Sequence, residues 1–274
     1  MTSDSLRRDV GSSMVCRVDD PTAFVLAVAV AEGVPTTEET LRVRIDEQPV
    51  VVRETTDAHG SRLHLFETGP GILSVDYTAT VVGRAAPLPV DELDLVRYLR
   101  PSRYVQSDTL TERARALFRG VDGRGLGGHA LLAAVEDWVF RHLRYDGWAT
   151  TPTGGAVETL DSGAGVCRDF ANVTAAFLRA LDVPARIVSV YAPELAPPDF
   201  HAVVEACIDD RWVVVDSTRL APRSGLVRIA TGRDSADTAF LTNTLADVEL
   251  LTLDVRAAGD GIPRDAPADA VVLG

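Results

Sequence analysis

Ser162-Gly163-Ala164-Gly165-Val166-Cys167-Arg168-Asp169-Phe170 sets a cysteine between a small-residue loop and the first turn of a helix. Behind Cys167, Phe170, Val173, Phe177 and Leu181 recur at helical spacing, so one face of that helix is expected to pack inward. The glycines permit a tight turn and leave the sulfur uncovered. A cysteine at a helix N-terminus meets unpaired N–H groups and the positive end of the macrodipole, and both favour the nucleophilic thiolate. A free cysteine is also among the most buried residue types. Read alone, the stretch leaves nucleophile and core thiol as open alternatives.

The chain has 274 residues, 46% of them hydrophobic and 24% charged, the composition of a soluble globular protein with room for one large domain or two small ones. Apolar runs fall short of the ~18 residues of a membrane span. Arg7 and Arg8 have no apolar segment behind them, so a signal peptide is not expected. Cys16, Cys167 and Cys207 are too scattered for a disulfide framework or a zinc ribbon. A reducing, cytoplasmic setting follows as the expectation. The net charge of −13 opposes nucleic acid and anionic membrane as partners. Every basic residue in that balance is arginine.

Residues 1–13 are polar and read as frayed. From Val15 to about Arg84 the chain reads as β: the apolar run Phe24–Val30, the alternation of Leu41, Val43 and Ile45, and that of Leu63 and Leu65 and then Leu73, Val75 and Tyr77. Asp57-Ala58-His59-Gly60 is a hairpin-type turn. These strands predict an N-terminal antiparallel β-sandwich-like domain over residues 1–88. His59 and His64 are given surface or packing roles. Ala85-Ala86-Pro87-Leu88-Pro89 is a linker candidate. Helices are expected from Asp91 to Leu99, through Phe118 with Asp108 or Thr109 as cap, over His129–Leu143, over Ala156–Leu160, and behind Cys167. Strands follow at 185–191, 200–208 and 211–217, with a last one near 248–255. Residues 256–274 lack periodicity and read as a flexible tail.

Thiol chemistry needs a base near the sulfur and a group that orients the base. If strands 200–208 and 211–217 pair through a turn at Asp209-Asp210, opposed residues sum to 419. His201 and Asp216 then become diagonal neighbours on one face, ~7–8 Å apart at the backbone. A slip of one residue would send Asp216 to the other face. In the expected register, one ring nitrogen of His201 reaches the carboxylate and the other remains for a thiol. Cys167, His201 and Asp216 are therefore the candidate catalytic residues.

Gly165-Val166-Cys167-Arg168-Asp169-Phe170-Ala171, Val183-Pro184-Ala185-Arg186, Tyr191, His201-Ala202, Trp212 and Asp216-Ser217-Thr218 together resemble the bacterial transglutaminase-like superfamily. Pro101-Ser102-Arg103-Tyr104 and Gly232-Arg233-Asp234 extend the likeness over residues 97–250. The resemblance implies an α+β fold: a β-rich N-terminal domain (1–88), then a papain-like, transglutaminase-like core (89–255) in which a helix carrying the cysteine packs on an antiparallel sheet carrying histidine and aspartate. It implies Cys167 as nucleophile, His201 as general base and acid, and Asp216 as orienter. The family commonly has Trp where this chain has Val203, Pro where it has Ser217, and Gly where it has Val190.

Such a triad supports acyl transfer through a thioester, with water giving hydrolysis and an amine giving transamidation. The Cys167 N–H is a candidate oxyanion donor, and Tyr145 a candidate second one or else a structural residue. A peptidase or amidase acting on a peptide or protein substrate, without a cofactor or metal, is the expectation. The alternatives are a protein-glutamine transamidase, an inactive binding module on the same fold, and a zinc site built from Cys167, His201 and Asp216. With no lysine and only Gln48 and Gln106, the chain is a poor substrate for its own cross-linking.

Overall fold

The structure is a computed structural model that describes residues 6–120, 125–266 and 269–273. The strands β1 (Arg7–Val18), β2 (Thr22–Leu26), β3 (Thr36–Ile45), β4 (Gln48–Pro49), β5 (Arg53–Thr56), β6 (Arg62–Thr68) and β7 (Gly71–Val82) come first. The helices α1 (Glu92–Arg97), α2 (Thr111–Leu117) and α3 (Gly128–His142) lead through β8 (Arg144–Tyr145) to α4 (Ala156–Ser162), β9 (Ala164–Gly165) and α5 (Cys167–Ala180). The chain ends with β10 (Ala185–Tyr191), β11 (Phe200–Ile208), β12 (Arg211–Val215), β13 (Val227–Gly232), β14 (Leu241–Thr244) and β15 (Val248–Asp260).

The N-terminal strands build two sheets, ordered β15-β1-β7-β3-β4 and β14-β2-β6-β5. Val10, Met14, Leu73, Val75 and Tyr77 from one sheet pack with Phe24, Leu26 and Phe66 from the other, the inward-facing halves of alternating strands. The sheet of the second, mixed α and β part has the order β12-β11-β10-β13. Its Tyr191, Val227 and Ile229 enter the same apolar cluster, so the sandwich and the core share packing. Tyr191 also donates to the Val28 carbonyl at 2.8 Å.

The C-terminal part departs from the sequence reading. β14 pairs with β2, and β15 runs to Asp260 alongside β1, from Arg7↔Asp260 to Val18↔Val248. The expected boundary at 255 therefore cuts a strand, and residues 241–260 complete the N-terminal sandwich. Residues 7–13 are strand, not frayed leader, because both neighbours of β1 satisfy its backbone; residues 1–5 lie outside the described residues. Beyond Asp260 the chain is clasped: Arg223 binds Asp265 at 2.8 Å, Val214 N–H donates to the Val271 carbonyl at 2.8 Å, and Leu273 is buried. Long-range pairing partners override a composition that looks like a linker. The cap expected at Asp108 or Thr109 also shifts, since α2 begins at Thr111, whose hydroxyl bonds back to the Ser107 carbonyl at 3.1 Å.

α5 is buried on all sides from Asp169 to Ala180, not on one face. Helices α3 and α4 cover one side, and β10 and β11 the other. Phe177 meets Phe118 and Trp138 edge-on at 5.4 and 5.2 Å. Arg179 is tolerated there because its guanidinium donates to the carbonyls of Ala185, Arg100 and Arg233. Among the described residues, no helix is long and apolar enough to cross a membrane.

Glu205 on β11 is fully buried between Arg186 (2.7 Å) and Arg228 (2.7 Å), with Arg186 stacked on Trp212 at 3.9 Å. Burial opposes its charge, yet the two guanidiniums hold its pKa down to about 2. Glu205→Ala would leave two buried cations unpaired, at a cost of about 3–5 kcal/mol. Urea unfolding of the variant should show this as a lowered midpoint with an unchanged slope.

Candidate active site

Three local devices place the sulfur. Gly163 ends α4 in the left-handed conformation (φ 66°). β9 then pairs in parallel with β8, setting Tyr145 opposite Gly165. The backbone N–H of Val166 donates to Asp169 Oδ2 at 2.8 Å, so the N3 carboxylate caps α5. Gly165 is required at this point, since a Cβ there would lie 2.6 Å from the Asp169 Cβ. Cys167 becomes the first residue of α5 and is half-exposed. Arg168 next to it donates to Thr150 Oγ1 at 2.9 Å and to the Thr151 carbonyl, mooring the loop that carries the almost wholly exposed Trp148.

His201 stands near the start of β11 and Asp216 just beyond β12. The ladder has the expected register, Val204↔Val215 through Ile208↔Arg211. His201 Nε2 lies 2.9 Å from Asp216 Oδ2, and both side chains are buried. Asp216 Oδ1 accepts from the Thr218 N–H (2.9 Å) and the Thr218 hydroxyl (2.7 Å). Burial opposes the charge on Asp216, and the His201 charge and these hydrogen bonds outweigh it, so its pKa is lowered. Burial likewise opposes protonation of His201. The Asp216 charge and hydrogen bond, with hydrogen bonding and charge from Cys167, carry its pKa up to about 10. Since Nε2 is committed to Asp216, Nδ1 is the nitrogen left for the sulfur, and among the described residues it is buried with no hydrogen-bond partner.

The structure thus pairs His201 with Asp216 and sets Cys167 within reach of the His201 ring. As a metal set they fit poorly, because the histidine and aspartate bond to each other, and among the described residues no group of three His, Cys, Asp or Glu side chains converges on one point. Tyr145 also reaches the site. Its hydroxyl contacts both the backbone and the sulfur of Cys167, and burial and the Cys167 charge raise its pKa. Asp199, not singled out by the sequence, sits beside His201 with its carboxyl pKa raised by burial. Only its place two residues before the histidine could have signalled it. A cavity of about 340 Å³ touches Asp216 from behind, where Arg219 joins Glu136 at 3.0 Å.

The departures from the family pattern have structural counterparts. Ser217, in the place of proline, lies 2.7 Å from Thr174 Oγ1 and ties the Asp216 segment to α5. Val190 and Val203 sit in a buried cluster with Leu273, with Val190 directly opposite His201 in the β10–β11 ladder. His59 and His64 are partnered as well: His59 with Tyr98 (2.8 Å) and Asp237 (3.5 Å), and His64 with Glu54 (3.1 Å).

A family model for the transglutaminase-like superfamily matches residues 108–217. The crystal structure of a candidate cysteine protease from Cytophaga hutchinsonii is 32% identical, covers 97% of this chain and 96% of its own, and superposes with a TM-score of 0.87. The chain belongs to the transglutaminase-like superfamily. An uncharacterized protein of Mycobacterium leprae is 25% identical over 174 residues, covering 61% of this chain, which spans 60% of that relative's length. The periplasmic domain of TgpA from Pseudomonas aeruginosa is 20% identical over 75% of this chain and 92% of its own, with a TM-score of 0.38. Family membership supports a cysteine-dependent enzyme.

The raised pKa of His201 sets a pH signature. The group gains protonated-state stability from Asp216 that is complete below its ordinary value of about 6.5 and is lost as pH rises through about 10. Asp216 contributes above its ordinary value and loses that contribution as pH falls through its lowered one. The stability difference between wild type and Asp216→Asn should therefore shrink between about pH 6.5 and 10 in parallel denaturant titrations.

Proposed function

We propose that this chain is a cysteine-dependent acyl-transfer hydrolase, a peptidase or amidase whose substrate is a peptide or protein. Cys167, half-buried at the head of α5 and within reach of the ring of the buried His201–Asp216 pair, carries the reading. The Cys167 sulfur attacks the carbonyl carbon of the scissile amide. Negative charge develops on the carbonyl oxygen, and the Cys167 N–H and the Tyr145 hydroxyl are the donors at hand for it. His201, protonated and held by Asp216, delivers its proton to the departing amine, leaving a thioester on the sulfur. In the second half-reaction the neutral imidazole takes a proton from water as it attacks the thioester. The carbon–sulfur bond then breaks, the acid product leaves, and the sulfur is restored as a thiolate beside the reprotonated imidazole.

The His201 pKa near 10 suits the first half-reaction, since it keeps a proton on the ring at neutral pH. Trp148 on the rim offers an apolar surface to a substrate side chain.

A thiol-directed acylating probe should label the wild-type chain stoichiometrically and leave Cys167→Ala unlabelled; equal labelling of the two would overturn the enzyme reading. With a peptide amide substrate, a dominant amine-transfer product on adding a primary amine would assign transamidation instead. Tyr145→Phe should lower kcat by on the order of 10²-fold with KM little changed, the loss typical of an oxyanion donor.

A further inference from the structure

His59, Arg97, Arg100 and Arg233 meet around a cavity of about 480 Å³ to which Cys167 does not contribute. The site joins three separate parts of the chain: the hairpin turn before β6, α1 with the residues after it, and the Gly232-Arg233-Asp234 segment after β13. Among the described residues, no carboxylate lines the cavity, in a protein whose net charge is −13. The acids nearby are spent on fixing the cations. Asp94 holds Arg97 at 2.7 Å, and Asp237 holds Arg233 at 2.9 Å and lies 3.5 Å from His59. Arg97 also donates to the Ala58 carbonyl at 3.3 Å.

Arg100 is different. It is exposed, and among the described residues its guanidinium has no hydrogen-bond or ion-pair partner. Its carbonyl and that of Arg233 both accept from the buried guanidinium of Arg179 on α5. The backbone that presents these two cations is thus fixed, while one cationic head is left open. The rest of the wall is apolar: Pro101, with Leu93 and Val96, which are 68% and 50% exposed.

We propose that this cavity binds an organic carboxylate bearing an apolar substituent. Guanidinium forks match a carboxylate in geometry and charge, and the apolar wall covers the substituent. The C-terminal carboxylate of a peptide ending in an apolar residue and a free acyl acid share this chemistry. Arg179, near the end of α5 opposite Cys167, fixes the backbone of Arg100 and Arg233 that lines this cavity.

Calorimetric titration of the full chain tests this with N-acetyl-leucine, octanoate and N-acetyl-leucinamide. Saturable binding of at least one carboxylate, with the amide about tenfold weaker or worse, is expected. Arg100→Glu should weaken the carboxylate by about tenfold or more, and Arg100→Lys should retain most of it. Unchanged melting temperatures of the two variants would show that folding is intact. Binding of N-acetyl-leucine alone points to a peptide terminus, and binding of octanoate as well points to any apolar acid. No saturable binding of either acid, equal binding of acid and amide, or binding indifferent to Arg100→Glu overturns the proposal.

Discussion

The hydrogen bond between His201 and Asp216 is the constraint to which the core is fitted. Two charges taken out of water need a partner at close range and further hydrogen bonds for the remaining lone pairs. The 2.9 Å contact supplies the first, and the Thr218 N–H and hydroxyl supply the second. Both depend on one strand register. A slip of one residue between β11 and β12 would leave an unpaired imidazole and an unpaired carboxylate inside the core. The tight turn at Asp209-Asp210, both with positive φ, holds that register against slippage.

The second requirement is a sulfur at a fixed place beside that pair. A loop could not supply it, because loops move more than the elements they join. α5 is instead enclosed by helices on one side and strands on the other, and its first turn alone reaches the surface. Phe170 and Phe177 anchor it by packing, and the Thr174–Ser217 bond joins it to the segment that bears Asp216. The helix that begins at Cys167 and the segment that bears Asp216 are thus linked through the core.

Much of this was legible in the chain. The period-two pattern of β10 to β12 and the 419 register are local signals, and they place His201 and Asp216 correctly. The cysteine at a helix start follows from Gly163 and Gly165 together with the apolar spacing behind them. What the sequence hid was non-local. Arg256-Ala257-Ala258-Gly259 carries no strand signal, yet it is strand because β1 lies beside it with backbone groups to satisfy. Periodicity behind Cys167 described one face of α5, whereas enclosure of the whole helix depends on α3 and α4 arriving from earlier in the chain. Tyr145 was visible only as an aromatic upstream of the cysteine. It is the parallel β8–β9 pairing, two residues long, that turns it toward the sulfur.

The exclusive use of arginine also acquires a physical meaning in the fold. Arg179 reaches three carbonyls on three segments, and Arg223 reaches the Val214, Ala266 and Asp269 carbonyls and the Asp265 carboxylate. Each is a planar fork with donors spread over several ångströms and directed along fixed lines. A lysine ammonium concentrates its donors at one atom and could satisfy one such cluster of acceptors, not three separated ones. Arg179 joins the end of α5 to the segments around Arg100 and Arg233. Arg223 joins Val214 at the end of the β12-β11-β10-β13 sheet to Asp265, Ala266 and Asp269, doing with charge and geometry what a larger apolar contact would otherwise have to do by area.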